Sequence, residues 1–145
     1  YVIRGVGPDP TPPGHYRGIV SFYTPLALQS ATLDGQPVVD GTTVEQELGR
    51  NVITRFVDLD SGGQATLRLE LSGPVRMPAV HGGHRYRLTL WHQPTIEPDQ
   101  VTLRVSGTSG TGLEDPRGLE ADGAAVGLEA KPQTDLRVGV TVTGP

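Results

Sequence analysis

The sequence predicts an all-β fold, an antiparallel two-sheet β-sandwich of immunoglobulin-like kind with about 9–10 short strands. Three observations carry this. Tyr86, Leu88 and Leu90 alternate with Arg85, Arg87 and Thr89, and Val101, Leu103 and Val105 alternate with Thr102 and Arg104. A period of two buries one face of an extended strand and wets the other. Twenty Gly and 13 Pro, concentrated at the ends of such runs, supply closely spaced turns. No segment has a sustained helical period, and a parallel sheet would need crossover helices for which the turns leave no room. Periodicity alone does not separate stacked sheets from a closed barrel.

Taken in order, Tyr1 to Val6 reads as a short edge strand. Pro8 to Gly14, with four prolines, reads as a surface loop, because proline cannot donate to a ladder. His15 to Tyr23 and Leu28 to Leu33 are strands. The second is closed by Asp34-Gly35, a hairpin dipeptide whose residues tolerate positive φ. Asp40-Gly41 is another such pair. Thr42 to Leu48 reads as strand, since a helix so short would not hold. Gly49-Arg50-Asn51 then turns the chain into Val52 to Leu59. Asp60 to Gly63 leads into Gln64 to Leu71, the cleanest alternation, with Ala65, Leu67, Leu69 and Leu71 inward. An irregular, proline-bracketed segment leads to His81-Gly-Gly-His84 and the two strands first described. Residues 107–123 read as a long polar loop. Ala124 to Ala130 and Leu136 to Val142 close the chain as a hairpin.

The 145 residues are expected to form a single domain, 1–145, large enough to bury a core without disulfides. A net charge of −4 argues against nucleic acid as a partner and gives no attraction to an anionic membrane. With no Cys, thiol catalysis, disulfides and Cys-ligated zinc are excluded. No apolar run in this segment is long enough to span a bilayer or reads as a signal peptide, and any targeting signal is expected upstream of it. The chain opens on Tyr1-Val2-Ile3 without Met and is therefore expected to be a fragment of a longer protein.

Candidate sites are sparse. His81 and His84 are the candidates for a metal, imidazole being a good ligand, with His92, Glu97 and Asp99 near in sequence. Two-histidine zinc motifs usually sit on a helix with a Glu between, whereas here two glycines separate them, so a solvated turn is the competing reading. Asp58-x-Asp60-x-Gly62 echoes the start of a calcium loop without its later Glu. Glu45 and Glu47, and Asp58 and Asp60, could share strand faces, as solvated acids commonly do. Gly107 to Gly112 matches no phosphate-binding fingerprint. Trp91 and Tyr86 are the candidates for stacking a sugar, although a regular strand points them to opposite faces. Arg68, Arg85, Arg87 and Arg104 are candidates to gather on an outer sheet face. There they would meet an acidic partner or, the stronger expectation, pair with acids such as Glu70. No cofactor is implied.

Several phrases resemble the carboxy-terminal region of a bacterial family known as domain of unknown function 4012. They are Tyr1-Val2 before a Pro/Gly loop, Gly14-His-Tyr-Arg17 leading to Phe22-Tyr-Thr-Pro25, Asp34-Gly35, and Tyr86-Arg-Leu-Thr-Leu-Trp-His-Gln-Pro94 followed by Pro98-Asp99. The resemblance covers about residues 1 to 106 and consists of turn-and-strand phrases rather than catalytic signatures. It implies an extracytoplasmic β domain, associated with the cell envelope of high-GC Gram-positive bacteria, behind an amino-terminal membrane anchor upstream of this segment. It carries over no functional residues. The expected function is a non-enzymatic module making protein or glycan contacts at the cell surface, with this segment not inserted in the membrane. The alternatives are a carbohydrate-binding module using Trp91 or Tyr86 and a hydrolase whose acids or histidines converge only in space.

Overall fold

A computed structural model describes residues 14–38, 41–92 and 99–144. The expected Tyr1–Val6 strand, all but Gly14 of the following loop, and Asp40 and Glu97 lie outside them. The described chain is antiparallel β throughout, with thirteen strands and no helix, and none of its sheets closes into a barrel. Contacts divide it into two compact units, with the boundary between Pro74 and Val75.

The first unit has six strands: β1 (Tyr16–Thr24), β2 (Ala27–Leu33), β3 (Gln36–Pro37), β4 (Thr42–Glu47), β5 (Arg50–Leu59) and β6 (Leu67–Ser72). One sheet has the order β1-β5-β4 and the other β3-β2-β6. The central strand β5 supplies the buried residues Val52, Ile53 and Val57. It pairs with β1 along its length, from Tyr16↔Leu59 to Thr24↔Asn51. Asp34 and Gly35 have φ of 50° and 79°, the left-handed pair that a two-residue hairpin demands. In β6 Leu67, Leu69 and Leu71 are half-buried while Arg68 and Glu70 are exposed, as the alternation predicts. The strand begins at Leu67 rather than Gln64. Just before it, Thr66 N–H donates to the Asp34 carboxylate at 2.7 Å and Asp34 N–H donates to the Thr66 carbonyl at 2.9 Å. A turn clamp takes the place of further ladder there.

The second unit has seven strands: β7 (Ala79–Val80), β8 (Gly83–Leu90), β9 (Val101–Ser106), β10 (Gly112–Arg117), β11 (Glu120–Asp122), β12 (Ala125–Ala130) and β13 (Leu136–Thr143). Its sheets run β10-β13-β8-β7 and β11-β12-β9. Tyr86, Leu88, Val138 and Val140 from one sheet meet Leu103, Val105, Val126 and Leu128 from the other, with Leu119 between. Val140 is wholly buried, a gain of about 1.5–3 kcal/mol over an exposed side chain. This is sandwich packing, two inner faces interdigitating around one core.

Two expectations are corrected here. Residues 107–123 are not one polar loop, since they contain β10 and β11. Both are outer strands of their sheets and exposed along most of their length, so no alternation marks them. The final two strands do not form a hairpin either. β12 pairs with β9 and β13 with β8, so the chain crosses between sheets at residues 131–135.

Candidate functional site

The outer face of the β10-β13-β8 sheet gathers charge. Alternation turns Tyr86, Leu88 and Leu90 to the core, which leaves Arg85, Arg87 and Thr89 on the opposite face. Pairing places Thr141 beside Arg85, Gly139 beside Arg87 and Arg137 beside Thr89. On the far side of β13, Arg117 stands opposite Gly139. Four arginines from three strands thus share one surface.

Arg85 anchors it. Although its position predicts exposure, its side chain is only 7% exposed. The pairing of β10 with β13 shifts register between Glu114 and Arg117, and Asp115 there has a φ of 47°. This bulge swings Asp115 over the sheet. One guanidinium nitrogen of Arg85 donates to the Asp115 carboxylate at 2.8 Å, the Asp115 carbonyl at 3.0 Å and the Thr141 hydroxyl at 2.9 Å. Arg117 reaches the same carboxylate at 3.4 Å. The Asp115 carboxylate is thereby shared between two cations.

Arg87 and Arg137 are different. Among the described residues, neither has an ion-pair or hydrogen-bond partner. With Trp91, Arg117 and Gly139 they line an open groove of about 460 Å³. Trp91 is 62% exposed. Gly139 forms the floor, where a Cβ would lie 2.9 Å from the Tyr86 carbonyl oxygen and 3.4 Å from Arg85 Nε. A second recess of about 270 Å³, between His81, Arg85, Asp115 and Arg117, lies on the same face.

Size does not distinguish this groove. Recesses of about 450 Å³ and 470 Å³ lie over the outer faces of the β3-β2-β6 and β11-β12-β9 sheets. Charge does distinguish it. In the first of those, Arg68 pairs with Glu70 at 3.2 Å, and in the second Arg104 pairs with Asp122. Arg68 and Arg104 therefore do not join Arg85 and Arg87 on one face, and the expectation that they pair with acids holds for both. Arg117 and Arg137 take their place. Arg137 sits on the polar face of the Leu136–Val142 alternation, a signal present in the sequence, but nothing there says which strand lies beside it.

The remaining candidates fall as follows. Tyr86 packs against the core cluster, so its ring is not on the surface that carries Trp91. His81 lies in the exposed turn between β7 and β8, while the His84 ring nitrogen Nδ1 is 3.2 Å from the Met77 carbonyl oxygen. The two histidines are not brought together with a third ligand: among the described residues no group of three or more His, Asp or Glu is placed to hold a metal. Asp58 and Asp60, read as an echo of a calcium loop, both turn toward His15, and Asp58 also pairs with Arg17 at 3.1 Å. Glu45 and Glu47 share a face of β4, with Glu47 accepting the Tyr23 hydroxyl at 3.0 Å. That contact, first by hydrogen bonding and then by the nearby negative charge, raises the Tyr23 phenol above its ordinary pKa of 10.0. His15 between two carboxylates was missed in the sequence because Asp58 and Asp60 lie more than 40 residues away across the β1–β5 pair. No family model matches the chain, and no curated protein or solved structure is significantly similar to it.

Proposed function

We propose that this chain is a non-enzymatic β-sandwich contact module of the bacterial cell envelope, of the kind its phrases resemble in the domain of unknown function 4012 family. The observation that carries the reading is the unpaired couple Arg87 and Arg137 beside the exposed Trp91, next to an Asp115 carboxylate already engaged by Arg85 and Arg117. Cations left without partners are available to an outside ligand, whereas Arg17, Arg68 and Arg104 on the other sheets are paired with acids within the fold. An exposed indole adds a flat apolar platform of the sort that recurs in recognition surfaces. Location at the envelope rests on the resemblance, with the anchor expected upstream. No helix of the described residues is long and apolar enough to cross a membrane.

Co-sedimentation with purified cell-wall material from a high-GC Gram-positive bacterium tests this. The protein is expected to sediment at low ionic strength and to be released as salt approaches ~0.15 M, where exposed charges beyond about 8 Å are screened. The Arg87→Ala, Arg137→Ala double variant should stay in the supernatant. Sedimentation indifferent to both changes would refute the assigned face. Turnover of a hydrolase substrate, lost on a single polar-to-Ala change, would refute the non-enzymatic assignment.

A further inference from the structure

We infer that the groove of Arg87, Arg137 and Trp91 takes a carboxylate-bearing polysaccharide, a uronic-acid chain rather than a neutral glycan or an acidic protein segment. The inference rests on the contact-module reading and names its ligand class. Arg87 and Arg137 stand diagonally across the β8–β13 pair, since Gly139 opposes Arg87 and Arg137 opposes Thr89. That geometry separates them by about 7–8 Å, within the reach of two long side chains converging on one carboxylate. Guanidinium forks bind planar carboxylates through paired, charge-assisted hydrogen bonds. Arg117 lies two strands from Arg87, about 10 Å away, and shares its one Asp115 carboxylate with Arg85, so a second anionic group one or two sugars along meets a third, part-neutralised cation. The absent side chain at Gly139 leaves the floor open between them.

A pyranose ring has one face made largely of C–H groups, and that face stacks on an indole while the ring's substituents reach outward. Trp91 supplies the indole at the groove wall. A segment of acidic residues alone would satisfy the arginines but carries no flat apolar face to cover the indole, and the groove runs over a sheet face rather than along an edge where a peptide backbone could pair. A neutral glycan would use Trp91 and leave the arginines unused. The chain's net charge of −4 makes a cationic groove the exception on its surface, and like charges elsewhere steer an anionic polymer to it.

Trp91 is the chain's single Trp, so its fluorescence reports on this groove alone. The full 145-residue chain is titrated with oligogalacturonate, with its methyl-esterified neutral form, and with poly-L-glutamate, by fluorescence and calorimetry. Oligogalacturonate should shift the Trp91 emission, and its methyl ester should bind at least about tenfold more weakly, because the charge-assisted bonds are lost. Arg87→Gln and Arg137→Gln should each weaken binding by about tenfold, while Arg104→Gln, on the other sheet, should not. Far-ultraviolet spectra matching the parent establish that these exposed changes leave the fold intact. Equal binding of the methyl ester, or no binding of oligogalacturonate, would overturn the proposal. Poly-L-glutamate binding that Arg87→Gln abolishes, without oligogalacturonate binding, would overturn it too, while leaving a contact module with an acidic protein partner.

Discussion

Arg85 and Arg87 are two positions apart on the same face of β8, yet the first is buried and the second exposed. The difference is Asp115, whose left-handed backbone lets the β10 bulge fold over Arg85 alone. A buried guanidinium is stable only while its donors are met. Arg85→Ala is therefore expected to lower stability by about 2–4 kcal/mol, because the Thr141 hydroxyl and the Asp115 carbonyl lose their donor and a void opens. Arg87→Ala should stay within about 0.5 kcal/mol. Urea unfolding of the two variants checks the contrast. At Tyr23 the prediction concerns pH. Its phenol, held by Glu47, should ionise above the ordinary tyrosine range, and Glu47→Gln should bring it back down. With a raised folded pKa, the contribution of this contact is complete below the unfolded value and fades as pH climbs through the folded one. An ultraviolet phenolate titration in which Glu47→Gln leaves the last-titrating tyrosine unmoved would contradict this.

Strands with one apolar face were legible, and strands without one were not. β6, β8 and β9 appear in the sequence because every second residue is apolar. β10 and β11 do not, because they border their sheets and their sequences Gly-Leu-Glu-Asp-Pro-Arg and Glu-Ala-Asp are made mostly of charged or turn-forming residues. They become strands through pairing with β13 and β12, a partnership that no local signal announces. Turns show the same division. Asp34-Gly35 was readable as a hairpin, whereas the turn between β4 and β5 places Leu48 at a φ of 50° and 93% exposed. A leucine there has strain without burial to offset it. Leu48→Asn is expected to raise stability by about 0.5–1 kcal/mol, read as a higher urea midpoint at unchanged slope.

At the scale of the molecule, the apolar cluster from Tyr86 to Val140 draws all its members from residues 75–145. A fragment spanning 75–145 is accordingly expected to keep a β-type circular dichroism spectrum and to unfold cooperatively, with Val140→Ala lowering its stability by about 2–3 kcal/mol. A fragment that melts without a transition would show that this core is insufficient alone. The all-β class, the positions of most strands and the inward residues of β6, β8, β9 and β13 were determined by the sequence, since alternation and turn chemistry act over a few neighbouring residues. Which arginines share a surface was decided by tertiary structure. Arg85 and Arg137 are more than 50 positions apart and share a face because β13 lies beside β8 in one register, and a slip of a single residue would send Arg137 to the core face. Long-range strand order is set by how two inner faces fill a common core, and that is a property of the assembled layers rather than of any short stretch of chain.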